Sequence, residues 1–293
     1  MKIVIAGGTG LIGKQLEIAL SNCGHEVLIL TRSPKKNNHI QWNPYNKYIE
    51  LDKITDVEAI INLCGSGIAD SRWTAKRRKE LEDSRILPAV YLAELTSVLK
   101  QLKFYITASG ITCFGFNDIG RLYAEEDVFG KDYTSQLVKK WEHTLNLFPK
   151  NIHCAALRFG IVLSDQGGAI PRISQPIKFG AGAALGSGKQ IVQWLDIDEI
   201  PNIVEHFLSN SLEGTFNVLQ GNVTNEELTK SIAKRMKRWV LPINVPSIVM
   251  KAIFGEMSVL LLEGVPASNK KLLSSGFTFQ TEDLGAVIAK LNL

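Results

Sequence analysis

An α/β fold, a doubly wound parallel sheet with a smaller C-terminal cap, follows from three observations. Apolar runs of strand length alternate with segments of helical periodicity through the first half of the chain. A glycine-rich turn, Gly7-Gly8-Thr9-Gly10-Leu11-Ile12-Gly13, joins the first such run to the first helix. After Arg158 the texture changes to glycine-rich loops and then to helical patterns broken by prolines. The chain has 293 residues, 45% hydrophobic and 21% charged, enough for a large core and too apolar for disorder.

Taken in order, Ile3 to Ala6 is the first strand. Ile12, Leu16, Ala19 and Leu20 then recur at helical spacing, Gly24 stands where a C-terminal cap belongs, and Val27 to Leu30 is the second strand. Ala59 to Leu63, Phe104 to Thr107 and Ala155 to Phe159 are further strands, each separated from the last by a segment of helix length. Gln166 to Ala169 and Phe179 to Lys189 are expected as long loops that shape a pocket. Glu226 to Arg238, Pro246 to Phe254 and Leu284 to Leu291 carry helical patterns, divided by Pro242, Pro246, Pro266 and Gly276. The expected division is a sheet domain over 1–165, with 190–220 also packing on it, and a substrate-side cap from 166–189 and 221–293.

The run Ile3-Val4-Ile5 is too short for a leader or a membrane span, and Val249 to Val265 is interrupted by Lys251, Glu256 and Glu263, so a soluble helix is expected there. Cys23, Cys64, Cys113 and Cys154 are widely separated and show no metal spacing, which predicts reduced thiols in a cytoplasmic compartment and no metal site. The net charge of +4 is spread along the chain. Its one dense basic run, Lys76-Arg77-Arg78-Lys79, reads as a solvated helix face, and without aromatic platforms no nucleic-acid partner is expected. No membrane partner is expected either, and the chain is read as a monomer or homodimer.

The glycine turn follows a strand and opens a helix, the context in which such a pattern cradles a dinucleotide. Glycines allow the tight turn and let backbone N–H groups reach a pyrophosphate, whose charge the helix N-terminus favours. This makes Lys2 to about Arg32 a Rossmann-type βαβ unit, with Gly7, Thr9, Gly10, Leu11, Ile12 and Gly13 as cofactor contacts. An NAD site places a carboxylate at the end of the second strand, but here that strand ends in Thr31-Arg32-Ser33. Arg32 can stack on adenine and pair with a 2′-phosphate, and Ser33 and Lys35 add donors, so NADP is favoured. The strand ending Asn62-Leu63-Cys64-Gly65 brings Leu63, Cys64 and Gly65 to the sheet's carboxyl edge, where the cofactor passes closely.

The glycine turn, Asn62 to Gly65, Ile68-Ala69-Asp70 with Arg72-Trp73-Thr74, and Ser84-Arg85 occur in that order. They are followed by Arg158 to Leu163, Gly167-Gly168, Leu185 to Gln190, Gly214 to Asn217 and Gly276 to Phe279. In these motifs the chain resembles, over nearly its whole length, the atypical extended branch of the short-chain dehydrogenase/reductase superfamily. This is the NAD(P)-dependent epimerase-like family with an uncharacterised C-terminal domain, some of whose members carry the label cell-division inhibitor. The resemblance implies an NADP-binding Rossmann domain and a C-terminal domain like the substrate cap of sugar-nucleotide epimerases and dehydratases. It also implies that Glu80 and Arg85 lie on a helix beside the cofactor and that Val162 lies near its nicotinamide end.

Chemistry in that superfamily uses a Tyr acid/base, a Lys four residues later and a Ser or Thr that holds the substrate oxygen. Four residues after Tyr45, Tyr48, Tyr91, Tyr105, Tyr123 and Tyr133 stand Ile49, Asp52, Leu95, Ser109, Asp127 and Leu137, so the Tyr/Lys pair is absent. Counting back from Glu142 puts Thr134 and Val138 at the two positions. Ser109 matches the family serine, although a buried serine capping a strand end reads equally well. Tyr133 stands one residue from the expected tyrosine. Cys113-Phe114 replaces a common tyrosine pair, and Asp196 a common histidine. Trp194, Asp196 and Asp198 are expected to line the pocket, unless Asp198 caps the following helix, while His143, His153 and His206 read as surface or packing residues. Two functions follow. One is an NADP(H)-dependent oxidoreductase or epimerase-like protein acting on a small molecule, with a proton from Ser109, Tyr133 or water. The other is a catalytically inactive NADPH-sensing binding or scaffold protein.

Overall fold

Ile3 and Ile5 point to one side of strand β1 (Lys2–Ala6) and Val4 and Ala6 to the other, and each side is buried. This computed structural model describes residues 1–116, 120–281 and 283–293. From β1 the chain passes through α1 (Leu11–Asn22), β2 (Glu26–Thr31), β3 (His39–Asn43), β4 (Tyr48–Ile49) and β5 (Ala59–Asn62). There follow α2 (Ala75–Leu95), β6 (Phe104–Gly110), α3 (Tyr133–His143), β7 (His153–Phe159), β8 (Ile161–Leu163) and α4 (Ala169–Lys178). The last part holds β9 (Ile191–Asp196), α5 (Glu199–Ser209), β10 (Gly214–Val218), β11 (Gly221–Thr224) and α6 (Asn225–Arg235), then α7 (Ser247–Phe254), α8 (Val259–Leu262), α9 (Lys270–Ser274) and α10 (Leu284–Lys290).

The main sheet has eight strands in the order β10-β7-β6-β5-β1-β2-β3-β4. Every pairing is parallel except that of β3 with β4. The chain builds outward from β1 through β2 and β3 on one side, and through β5, β6 and β7 on the other. The order therefore reverses between β1 and β5, where a crevice opens beyond the carboxyl ends of the strands. One face packs Ile3, Ile5, Ile29 and Ile61 against Leu16 of α1 and Ile203 and Phe207 of α5. The other packs Val4, Leu28, Ile60 and Tyr105 against Tyr91, Leu92 and Leu95 of α2.

A second sheet, β11-β9-β8, covers the carboxyl side and packs with α4, α6 and α10 around Trp194, Ile170, Ile232 and Val287. Leu272, Phe277 and Phe279, from the tail, join the core of the main sheet instead.

The five expected strands form. The strands β3, β4, β8, β9, β10 and β11 carry no uninterrupted apolar run of four residues, and pairing with neighbours makes them strands. Ala169 begins a helix and not a loop, because Pro171 sits in its first turn, where a missing N–H costs nothing. The stretch from Val249 to Val265 breaks at Gly255 (φ +60°) into α7, a 3₁₀ turn and α8. Among the described residues, no helix is long and apolar enough to cross a membrane.

Candidate functional site

The glycine turn sits directly on the exit of β5. Gly7 has φ +78°, and a Cβ there would lie 2.8 Å from the Leu63 carbonyl carbon and 3.0 Å from the Cys64 nitrogen. A Cβ on Gly13 would lie 2.4 Å from Gly8 Cα, so α1 is pressed onto the turn. Gly10 caps α1, and the helix start has neither a side-chain cap hydrogen bond nor an acidic residue in its first turn. Thr9 and Gly10 are exposed. The result is an open, positively polarised helix end at the topological switch, which suits an anion.

Around the turn, the end of β2 presents exposed Arg32, Ser33 and Lys35, with the Ser33 N–H donating to Thr31 Oγ1 at 3.2 Å. Tyr45 lies in the β3–β4 connection and is half exposed. Partial burial pushes its phenol up, and the charge of Arg32 opposes that. No motif marked Tyr45 in the sequence. Cys64 is only partly shielded from solvent as a residue, yet the protein atoms around its sulfur push the thiol up to about 12, against the pull of Arg32. Below it, the Asn62 amide donates to Tyr105 Oη at 2.9 Å and its oxygen accepts the Cys64 N–H at 3.1 Å, which holds the strand exit in place.

Gly65 lies over Arg85, whose Cζ would be 3.1 Å from a Cβ at that position. Arg85 is buried and donates to the carbonyls of Leu81 (3.0 Å) and Ser66 (3.1 Å), above the Trp141 ring at 5.2 Å. Burial lowers this guanidinium to about 10. Glu80 accepts from Ser66 Oγ at 3.1 Å and pairs with Arg77 at 2.7 Å, and the Arg77 bond leads in holding its carboxyl below the usual range. Leu11 meets Gly167 and Gly168 of the loop after β8: a Cβ on Gly168 would lie 3.6 Å from the Val162 carbonyl and 3.8 Å from Leu11 Cδ2. Leu11, Val162 and the Gly167-Gly168 turn therefore share one neighbourhood at the head of α1.

Ser109 and Tyr133 belong to separate networks. Ser109 Oγ donates to Glu142 at 2.6 Å, and Arg158 grips the same carboxylate through Nε at 2.7 Å and Nη2 at 2.8 Å. The Tyr133 hydroxyl donates to the Arg78 carbonyl at 3.2 Å, and its ring packs on Trp73 with centroids 5.0 Å apart. Burial raises the phenol above its ordinary value, with Arg78 and Arg85 opposing. Thr134 and Val138 are buried.

Residues 3–218 match the NAD dependent epimerase/dehydratase family, and residues 245–291 match a domain of unknown function, DUF1731. The chain belongs to the NAD dependent epimerase/dehydratase family. It is 33% identical over 291 residues to the epimerase family protein Mb2239 of Mycobacterium bovis, covering 98% of this chain and 96% of that protein. The crystal structure of human epimerase family protein SDR39U1 (isoform 2) with NADPH superposes with a TM-score of 0.90 at 29% identity, covering 100% of both chains. A nucleoside-diphosphate sugar epimerase from Corynebacterium glutamicum shares the fold, with a TM-score of 0.80 at 24% identity over 99% of this chain and 57% of that one.

Within this epimerase-family chain, Asp196 is buried and pairs with Lys290 at 3.2 Å, and Trp194 lies inside the second sheet's core. Asp198 precedes α5 without a side-chain cap bond and accepts from Gln15 Nε2 at 3.0 Å, while burial and then Asp196 raise its carboxyl. Phe114 underlies the Arg158 guanidinium at 5.3 Å. The basic run opens α2, and much of it is engaged: Arg77 with Glu80, Arg78 with Glu256, and Lys79 with Asp83. Among the described residues, no group of three or more His, Cys, Asp or Glu side chains is placed to hold a metal.

Proposed function

We propose that this epimerase-family chain binds NADP(H) across the β1/β5 crevice and acts on a small molecule taken up between the sheet's carboxyl edge and the C-terminal part. The observation that carries the reading is the uncapped start of α1, set against the β5 exit by the contact of Gly7 with Leu63. The residues present fit the cofactor. The N–H groups after Gly10 would hold the pyrophosphate; Arg32 and Ser33, with no carboxylate at the end of β2, the 2′-phosphate; and Leu63, Cys64, Gly65, Glu80, Arg85 and Val162 would flank the rest. The NADPH named with the human SDR39U1 structure supports this reading.

When bound, the cofactor supplies hydride chemistry to an oxidoreductase or epimerase-like reaction. Proton transfer would fall to Ser109, Tyr133 or water, and slow turnover is expected because the lysine that lowers a tyrosine pKa is missing. Four free thiols fit a cytoplasmic-type compartment. A second reading, an NADPH-sensing scaffold without catalysis, is favoured by the commitment of both hydroxyls to Glu142 and to the Arg78 carbonyl.

Calorimetry with NADPH and NADH tests the binding, with tighter NADPH expected; tighter NADH would refute it. Nicotinamide absorbance followed against small carbonyl compounds, together with chromatography of sugar nucleotides for epimerised product, because an epimerase returns its hydride and leaves no net absorbance change, separates the readings, since a turnover with any of them rules out the scaffold.

A further inference from the structure

Helix α7 is anomalous for a surface helix. Its sequence, Ser-Ile-Val-Met-Lys-Ala-Ile-Phe, is mostly apolar, yet Met250 alone of its eight residues is buried. Ile248 is 75% exposed, and Val249 and Ile253 are exposed as well. Beside it stand three more protruding apolar side chains, Phe179 at 76%, Trp239 at 71% and Ile243 at 77%. They belong to one surface, because the loop after α4 runs along the irregular segment that leads into α7, with Leu185 and Val245 in an isolated parallel bridge. The Leu241 N–H donates to the Gly182 carbonyl at 2.8 Å, and the Val245 N–H to the Ala184 carbonyl at 2.9 Å.

The turn that delivers Trp239 is built at some cost. Lys237 takes φ +53°, the left-handed conformation that glycine usually supplies, and closes α6 with Lys237 N–H to the Lys234 carbonyl (3.1 Å) and Arg238 N–H to the Ala233 carbonyl (2.9 Å). A cation thus stands where a glycine would be easier, next to an exposed tryptophan.

Charge gives the surface its character. From Leu228 to Gly255 the sequence holds Lys230, Lys234, Arg235, Lys237, Arg238 and Lys251 and no Asp or Glu. From Gln166 to Leu195 it holds Arg172, Lys178 and Lys189, again with no carboxylate. Lys178, Lys234, Lys237, Arg238 and Lys251 are exposed and have no carboxylate partner among the described residues. Nearby carboxylates are few: Glu226 pairs with Lys230, Glu227 closes the capping box of α6, Glu256 pairs with Arg78, Glu263 lines with Lys251 a shallow cavity of about 450 Å³, and Asp165, which accepts from Asn292, lines a second hollow with Lys178 and Met236.

We infer that this face docks on the surface of an anionic lipid bilayer, with Trp239, Phe179, Ile243 and Ile248 entering the interfacial layer and the lysines and arginines beside them meeting lipid phosphates. Protruding apolar side chains ringed by cations, with an exposed tryptophan among them, match an interfacial contact. A second copy of the same face would set cation against cation. The contact is peripheral, needs no spanning helix and stands independently of the cofactor reading.

Trp239 reports on the contact directly, since the other four tryptophans, Trp42, Trp73, Trp141 and Trp194, are buried. With vesicles of equal parts phosphatidylglycerol and phosphatidylcholine, the emission shifts to the blue and is quenched by brominated lipid chains. With pure phosphatidylcholine it does neither, and raising the salt to about 0.5 M releases the protein. Lys237→Glu with Arg238→Glu lowers partitioning by more than about a hundredfold, at roughly fivefold per charge. Ile248→Ser lowers it by roughly tenfold with an unchanged melting midpoint, because the side chain is exposed. The inference is overturned by sedimentation showing no binding to the anionic vesicles, or by equal binding to neutral ones. A dimer that Ile248→Ser dissociates, or binding to polyglutamate, in the absence of vesicle binding overturns it as well.

Discussion

The Ser109 hydroxyl donates to the Glu142 carboxylate at 2.6 Å, and Glu142 is in turn paired with Arg158, whose side chain is 3% exposed. Glu142 stands one helical turn beyond Val138 on α3, so a buried ion pair continues the helix face that carries the buried Thr134 and Val138. Removing one partner leaves a charge buried and alone. Glu142→Ala or Arg158→Ala is therefore expected to destabilise the fold by about 3–5 kcal/mol. Ser109→Ala removes one hydrogen bond to a carboxylate that keeps its arginine, at about 1–2 kcal/mol. Urea denaturation of the three variants checks the order. A fall in turnover for Ser109→Ala out of proportion to its stability would mark the hydroxyl as chemical.

Gly7 and Gly10 are expected to respond oppositely to alanine. At Gly7 the new methyl meets the Leu63 carbonyl carbon at 2.8 Å, at φ +78°, and backbone cannot yield. Gly7→Ala is expected to lose more than about 2 kcal/mol of stability. At Gly10 the nearest atom is the Gly7 carbonyl oxygen at 3.3 Å, and the rest is open. Gly10→Ala is expected to fold with nearly unchanged stability while losing NADPH affinity at least tenfold, since the methyl stands where the pyrophosphate must approach. Thermal melts with and without NADPH separate the two effects.

Arg32 is exposed, so its replacement touches the ligand and not the fold. Arg32→Ala is expected to lower NADPH affinity by about ten- to a hundredfold, the worth of a charge-assisted pair of about 1.5–3 kcal/mol, with little change for NADH. Arg32→Asp is expected to reverse the preference, because the carboxylate repels a 2′-phosphate and accepts from ribose hydroxyls. Calorimetry with both nucleotides decides; an unchanged NADPH/NADH ratio would remove Arg32 from the site.

The four thiols are expected to differ in reactivity. Cys23 is exposed, whereas burial pushes Cys64 up to about 12 and Cys154 up to about 11. Iodoacetamide at mildly alkaline pH is expected to label Cys23 first, as read by mass spectrometry, with Cys64 labelled quickly only in denaturant. The same shift sets a stability trend. An unfolded thiol releases its proton near 9.0, but Cys64 holds it until about 12. Between those values the native state binds more protons than the unfolded one, so stability is intact below about pH 9 and declines above it. Cys64→Ser is expected to remove part of that decline, because burial pushes Cys113, Cys154 and Tyr105 up as well.

The first βαβ unit and its turn are legible from residue order because each requirement is local. Strand and helix periodicities lie within a dozen residues, and the glycines answer to a turn and a close approach. The main strands are legible for the same reason, since burial on both faces leaves continuous apolar runs. Tyr45 is not legible: its place in the β3–β4 connection, within the electrostatic field of Arg32, follows only from the pairing of β3 with β2 and β4. Phe277 and Phe279 announce burial through their side chains, but nothing in their spacing says that they join the main sheet and not the cap.

By itself, then, the order of residues determined a Rossmann-type sheet, a dinucleotide-type turn, the lack of a carboxylate after β2 and the lack of a Tyr/Lys pair. Tertiary structure decided what the remaining hydroxyls are attached to. Ser109 finds its carboxylate 33 residues away and Tyr133 its carbonyl 55 residues away. Availability for chemistry depends on such partners, and only the packing of α3 against β6, β7 and α2 brings them within hydrogen-bond reach.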